Sequence, residues 1–266
     1  LPEVETVRQT LRQFVLNKKI KNVDVYYDKI IDGNTNDFIT SLKNQTIQEI
    51  DRVGKYLIFI LDDYAFVSHL RMEGKYHIVE KQYDINKHTH VIFHLDDCDL
   101  LYMDTRKFGR MQLVDRIDYK NQLPLSKLGK EPFDIDEQEL YTLLHHSSLP
   151  IKTALLDQSI MAGIGNIYAN EICFMMNLDP RTKANRLSKN RVKQLKQVAI
   201  DVLNKAIECG GTTIHSFDSN GIHGLFQIEL NVHMLHTCKV CGGDIKKIML
   251  NQRGTYFCKN CQKRRY

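Results

Sequence analysis

Two Cys-x-x-Cys pairs near the end of the chain constrain its fold more than any other feature. The stretches CKVC and CKNC place Cys238, Cys241, Cys258 and Cys261 in two knuckles separated by sixteen residues. Each knuckle aims two thiolates at one centre, and two knuckles make a tetrahedral sulfur cage suited to one structural Zn2+ with no coordination position left open for chemistry. Two disulfides or an iron–sulfur centre are the rival readings. Between the pairs, IKKIMLNQRGTYF reads as strand, turn, strand, with Asn251, Gln252, Arg253 and Gly254 in the turn. Such a hairpin presents Arg253 at its tip, where an arginine on its own is an ordinary solvated turn residue. The other three of the seven cysteines, Cys98, Cys173 and Cys209, stand alone and read as small buried hydrophobes.

The rest of the chain divides by period. Val4, Val7, Leu11, Phe14 and Val15 follow helical spacing, so the first element is an amphipathic helix ending near Asn17. Short apolar runs then recur between polar breaks: Tyr56 to Leu61, the alternating VIFHL of 91–95, and Leu100 to Met103. They indicate an antiparallel β-rich domain over residues 1–130. The proline in GKEPFD marks a boundary, after which Asp136 and Glu139 stand at capping-box spacing ahead of Leu140, Leu143 and Leu144. The clearest helix follows, with Ser188 as cap, Val192, Leu195, Val198, Ala199, Val202, Leu203 and Ile207 as its stripe, and Gly210 and Gly211 as its stop.

At 266 residues the chain has room for two domains that each bury a core. Its longest clean apolar run is far too short to span a bilayer and its start is acidic, which reads as soluble and cytoplasmic, with no membrane partner. Lys and Arg number 37 against 32 Asp and Glu, a mild excess that suits a polyanion without requiring one.

Seven strings occur in one order along nearly the whole chain: LPEVETV, RVGKY, HLRMEG, DTRKFG, LGKEP, LLDQSIMAGIGNIYANE and the cysteine finger. In that order they closely resemble the bacterial formamidopyrimidine-DNA glycosylases, enzymes that excise oxidised purines. The resemblance implies an α+β architecture: an N-terminal β-sandwich with a flanking helix (1–130), a helical helix-two-turns-helix domain (131–230) and a C-terminal zinc-finger β-hairpin (231–266). It also implies damaged double-stranded DNA as partner, action as a monomer, and a nucleoid-associated place in the bacterial cytoplasm. Family members turn the damaged nucleotide out of the duplex, attack its sugar with an N-terminal proline amine, and cut the strand by β- and δ-elimination. An α-amino group titrates near 8, so roughly a tenth is neutral and nucleophilic at pH 7, far more than of a lysine. The family begins with Pro-Glu ahead of LPEVET, so the nucleophile and its acid belong immediately before Leu1.

The same resemblance assigns roles to residues. Lys55 matches a lysine that contacts phosphate at the lesion and serves β-elimination. Arg253 matches the finger arginine that grips phosphates flanking the everted nucleotide and serves δ-elimination, a task suited to bidentate guanidinium. Glu3 matches a glutamate lining the active site. Met72, Arg106 and Phe108 match the residues that fill the gap left by the flipped base, an apolar wedge with an arginine for the widowed cytosine; without the family, Met72 and Phe108 read as core. Phosphate contacts fall to His88, Lys152 and Asn166. Two positions depart from the pattern: His233 stands where a tyrosine is usual, in a shortened VHMLHTC segment, and Ser147 where some members have a lysine. The stretch 212–227 corresponds to a loop that covers the everted base. Two alternatives stay open: the sister enzymes that remove oxidised pyrimidines, and a binding protein that senses damage without catalysis.

Overall fold

Residues 1–81, 83–211 and 229–264 are described in the computed structural model, so the covering loop over 212–227 lies outside the described residues. They form two units, one holding residues 3–126 and the other residues 1–2, 127–211 and 229–264.

In the first unit, helix α1 (Pro2–Val15) carries Glu3 and Glu5 in its first turn, where carboxylates suit the positive end of the helix dipole. It stops two residues earlier than its spacing predicts. Leu16 and Asn17 form a turn with Asn17 at φ 62°, a left-handed conformation that ends the helix. Phe14 falls beside the buried line of Val4, Val7, Leu11 and Val15 and is 39% exposed. Eight strands follow, β1 (Asn22–Val25), β2 (Glu49–Val53), β3 (Tyr56–Ile60), β4 (Tyr64–His69), β5 (Lys75–Val79), β6 (Thr89–His94), β7 (Asp99–Met103) and β8 (Arg110–Asp115), with helix α2 (Thr35–Leu42) between the first two. They build two antiparallel sheets, in the orders β2-β3-β4-β8 and β1-β6-β7-β5. Phe59 stacks on Phe66 within the first sheet at 4.5 Å, and Phe66 on Phe93 of the second at 5.4 Å, so one aromatic column joins the layers. The alternation expected in VIFHL is absent: Val91, Ile92 and Phe93 are all buried, because β6 is an interior strand covered on both faces.

The second unit is helical, with α3 (Glu137–His145), α4 (Ile151–Leu156), α5 (Asn166–Met175) and α6 (Lys189–Glu208), and ends in the hairpin β9 (Ile245–Leu250) and β10 (Arg253–Cys258). Asp136 caps α3 by accepting the amides of Gln138 and Glu139, and Ser188 caps α6. After α6, the amides of Gly210 and Gly211 return to the carbonyls of Ile207 and Ala206, with both glycines at positive φ. Between α4 and α5 the chain makes two turns; Gly163 sits there at φ 96°, and its carbonyl accepts the Leu1 nitrogen at 3.0 Å.

The hairpin turn is tighter than the sequence suggests. It consists of Asn251 and Gln252, at φ 45° and 60°, while Arg253 is already paired with Leu250 as the first residue of β10. Two residues with positive φ match the twist of the flanking strands, so nothing more is needed to reverse the chain.

Candidate nucleic-acid interface and metal centre

Strand register gathers several of the expected residues at one end of the sandwich. Tyr56 pairs with His69 and His69 with Arg110, while Lys75 and Thr89 both pair with Met103. The β2–β3 turn, the β4–β5 loop, the β7–β8 loop and the segment leading into β6 therefore emerge together. They carry Lys55, then Met72, then Arg106 with Phe108, then His88.

Lys55 is the second residue of a two-residue turn whose first, Gly54, has φ 60°. An arginine and a buried carboxylate hold that turn. Arg52 donates through Nη1 to the Gly54 carbonyl at 3.1 Å and through Nε to Glu5 at 2.8 Å, and Glu5 also receives Arg8 at 2.6 Å. Burial alone would raise the Glu5 carboxyl, but hydrogen bonds from Arg8 and Arg52 and their charges outweigh it and bring the group down to about 2. Beside the turn, Tyr56 meets the His69 ring edge-on at 4.5 Å, and the Arg71 amide donates to His69 Nδ1 at 2.9 Å. Burial, with Arg71 and Lys55 nearby, lowers His69 to about 3, so it stays neutral and accepts that amide. Glu3 lies half-buried in the first turn of α1.

Met72 and Phe108 are not core residues: they are 71% and 51% exposed. Arg106 lies between them, with Nη1 3.3 Å from Met72 Sδ and its guanidinium 4.9 Å over the Phe108 ring. Their exposure follows from how the backbone is fixed. Asp104 is 1% exposed, and its carboxylate accepts the amides of Arg106, Phe108 and Gly109 at 2.8–2.9 Å, a local turn that substitutes for strand pairing. Arg71 and Lys107, flanking the three side chains, take φ of 54° and 58°, an uncommon conformation for residues with a Cβ. His88 belongs to the same rim through its backbone, since its carbonyl accepts the Asp104 amide at 3.0 Å.

In the helical unit, Lys152 stands apart from the other expected phosphate ligands. Its residue is 1% exposed, and its ammonium donates to Asn166 Oδ1 at 2.7 Å, Gly254 O at 3.0 Å and Thr255 Oγ1 at 2.7 Å. All three donors are thus spent on the protein. Burial, with Arg253 close by, brings the group down to about 8, which leaves it mainly charged at neutral pH. Asn166, the first residue of α5, also donates through Nδ2 to Gly254 O at 3.1 Å. Both residues grip the start of β10, one position beyond the exposed Arg253.

The glycine-rich motif has a second use that its sequence did not disclose. Asn170 and Glu171 are buried, and the Glu171 carboxylate accepts the backbone amides of Asn231, Val232 and His233 at 2.8–3.0 Å. Asn170 donates through Nδ2 to His233 Nδ1 at 2.7 Å and accepts the Tyr256 amide at 3.3 Å. His233, edge-on to Tyr256 at 5.0 Å, is lowered by burial to about 4, so its Nδ1 is free of a proton and accepts. Charged and amide residues on one helix turn therefore anchor the segment leading into the finger. Only their place in a nonpolar stretch, IYANEICF, could have hinted at it.

The four cysteines of the finger come together. Cys238 and Cys261 sulfurs are 3.8 Å apart, those of Cys241 and Cys258 3.5 Å, and all four lie within 4.8 Å of one another. Zinc–sulfur bonds of about 2.3 Å in a tetrahedron put sulfurs about 3.8 Å apart, so the cage fits one structural zinc. Disulfides would need about 2 Å. Cys98 and Cys173 are buried, as their isolation suggests, and Cys209 is partly so.

No helix among the described residues is long and apolar enough to cross a membrane. Three family descriptions match in chain order: the formamidopyrimidine-DNA glycosylase N-terminal domain over residues 1–111, the H2TH domain of the same enzymes over 128–218, and the zinc finger found in FPG and IleRS over 236–264. The formamidopyrimidine-DNA glycosylase of Ligilactobacillus salivarius is 46% identical over 269 residues, covering 98% of both chains. That of Lactiplantibacillus plantarum is 47% identical, covering 97% of both. The Lactococcus lactis Fpg, solved with DNA containing an abasic site, superposes with a TM-score of 0.93 at 37% identity over 99% of both chains. The same enzyme with DNA containing N7-benzyl-Fapy-dG gives 0.93 at 36%. With its three domains matched in order and relatives near half identity over its whole length, the chain belongs to the formamidopyrimidine-DNA glycosylase family.

Proposed function

We propose that this chain is a bifunctional base-excision-repair enzyme that removes 8-oxoguanine and formamidopyrimidines from duplex DNA and then cuts the strand. Family membership makes it a DNA glycosylase, and one relative, the Lactococcus lactis enzyme, has been captured on DNA with an abasic site and with N7-benzyl-Fapy-dG. The observation that carries the substrate reading is the exposed Met72, Arg106 and Phe108 cluster on loops fixed from within. An apolar side chain and an arginine already in contact, both facing solvent, suit a gap in stacked bases and have no use in a monomer's core.

In this reading the nucleophile is the amine of a proline two residues ahead of Leu1. Its lone pair forms a bond to the sugar C1′ while the base leaves with the glycosidic electrons and gains a proton. The amine then loses its proton and the sugar ring opens, the C1′–O4′ bond breaking as O4′ takes a proton. This leaves an iminium that acidifies the C2′ proton, so the 3′ phosphate departs by β-elimination and the 5′ phosphate by δ-elimination. Lys55, in a turn pinned by Arg52, and Arg253, at the start of β10, supply the cations beside those phosphates. His88 and Asn166 complete the phosphate contacts. Lys152 acts instead through Gly254 and Thr255, holding the hairpin that bears Arg253. Bound zinc supplies a closed cross-link between the two knuckles and no reactive position.

The test is a nicking assay on duplexes with 8-oxoguanine opposite cytosine or with thymine glycol, on protein whose intact mass and N-terminal residue are determined. Cleavage of the first from a free proline terminus supports the reading. Cleavage of only the second points to the pyrimidine enzymes, and binding with no cleavage by proline-ended protein to a damage sensor.

A further inference from the structure

Tyr102 has no part in the reading above, yet its hydroxyl sits where the two loops that carry Met72, Arg106 and Phe108 converge. It is the fourth residue of β7, fully buried, with its ring 5.3 Å from that of Tyr76. A Cβ placed on Gly74, which closes the Met72 loop, would lie 2.4 Å from the Tyr102 oxygen, and one on Gly109, which closes the Arg106 loop, only 1.6 Å from it. Neither glycine has a positive φ. At Gly109 the Tyr102 oxygen and ring exclude a side chain, and at Gly74 the oxygen does so together with the Leu70 carbonyl, 2.5 Å from the same Cβ. That oxygen has no hydrogen-bond partner among the described residues.

A buried hydroxyl without a partner disfavours the fold relative to the phenyl ring that would fill the same space. Tyrosine here thus works against stability, yet Gly109 is shaped around its oxygen and Gly74 closes on the same atom. We propose that Tyr102 is a positioning residue: its hydroxyl is the spacer that fixes the separation of the two loops and holds Met72 against Arg106 before DNA arrives. This rests on the proposed function, since the value of the fixed contact is that the wedge enters the duplex already assembled, without an ordering cost at binding. The loops' strained flanks, Arg71 and Lys107, are where the backbone would relax once the spacer is gone.

The variant Tyr102→Phe removes one atom and tests the idea in three readings on the full zinc-loaded protein. The melting temperature should stay the same or rise. The Met72 methyl resonance, followed by 13C-methyl labelling without DNA, should shift or broaden while that of Met161 in the helical unit stays in place. The single-turnover rate of 8-oxoguanine excision from a duplex should fall roughly tenfold or more. An unmoved Met72 resonance overturns the spacer, an undiminished rate overturns its part in excision, and a lower melting temperature with shifts at both methionines reduces Tyr102 to packing. If the unaltered protein cuts no duplex at all, the glycosylase reading fails, and the Met72 resonance still decides whether the hydroxyl spaces the loops.

Discussion

The rim of the sandwich and the base of the zinc hairpin solve opposite problems with the same material. At the rim, the Met72, Arg106 and Phe108 side chains proposed to enter DNA are exposed, and what is buried is a carboxylate, Asp104, that receives the Arg106 and Phe108 amides. At the hairpin, a cation of the kind that meets phosphate is itself buried, and its ammonium donates to the backbone and a side chain of the strand bearing the exposed Arg253. In one place an anion organises amides from below; in the other a cation organises carbonyl and hydroxyl oxygens. A residue's charge therefore says little about whether it touches DNA until its partners are counted.

The hairpin side should be the more breakable, and metal removal tests it most severely. Chelation takes away binding free energy that for such fingers is on the order of 10 kcal/mol or more and is inseparable from their folding. The expected result is loss of binding to abasic-site DNA in a mobility assay, with the β-rich unit still giving dispersed amide signals. Full binding after verified zinc removal would show that the finger is dispensable.

Lys152→Met comes next. It keeps the length and burial of the side chain but strands Asn166 Oδ1, Thr255 Oγ1 and Gly254 O, of which Gly254 O keeps only the Asn166 amide. A loss of about 2–4 kcal/mol in chemical denaturation is expected, in keeping with two or three buried acceptors left short of a donor. Unchanged stability with weakened, less salt-sensitive DNA binding would instead make Lys152 a phosphate ligand.

Acid should load each region through one buried histidine, and a single substitution should separate them. His233, lowered to about 4 from 6.5, is neutral in the folded unit, so stability associated with it is full above 6.5 and falls as the pH drops towards 4. Glu5, lowered to about 2 from 4.5, contributes fully above 4.5 and loses that contribution only as the pH falls towards 2. His69 of the β-rich unit, lowered to about 3 from 6.5, follows the same sign, so at pH 5 the linkage gives a loss of about 2 kcal/mol through one buried histidine in each unit, with Glu5 adding only about 0.2 kcal/mol. Hydrogen exchange at pH 7 and pH 5 reads both units separately, and His233→Gln should remove the acid loss from the helical unit alone. Acid loosening of the helical unit that persists in His233→Gln would contradict the assignment.

How much of this was legible beforehand depends on whether a residue's role lies in its own spacing. The cysteine cage, the α6 stripe and the glycine stop are periodic or local, and the structure reproduces them. The Met72 and Phe108 positions read as core from residue type, because exposure here is imposed by Asp104 and by two positive φ angles, which one-dimensional patterning does not carry. The turn spans only Asn251 and Gln252, shorter than residue type suggests, because Arg253 and Gly254 are polar or small and yet pair in the ladder. Tertiary anchors such as Arg52 to Glu5, or Glu171 to the amides of 231–233, join positions about 50–60 apart, beyond the reach of any motif. Family resemblance implies a phosphate role for Lys152, whereas its three protein acceptors come from tertiary packing that no motif carries.

The smallest expected effect on stability is also the sharpest contrast with Lys152. Met72→Ala removes an exposed side chain whose contact with Arg106 is its only described polar one, so the melting temperature should hardly move, within about 0.5 kcal/mol of the original stability. If the cluster fills the space of an everted base, excision from duplex DNA should nonetheless fall substantially, because a methyl group cannot support the neighbouring stack. The loss should lessen when the lesion faces a mismatch that is already poorly stacked, since less unstacking then has to be offset. Lys152→Met should show no such dependence on the opposite base, because a displaced hairpin weakens the phosphate grip whatever the pairing. A Met72→Ala enzyme equally fast on paired and mispaired lesions would return Met72 to an ordinary exposed loop residue and leave the hairpin as the sole region here tied to DNA.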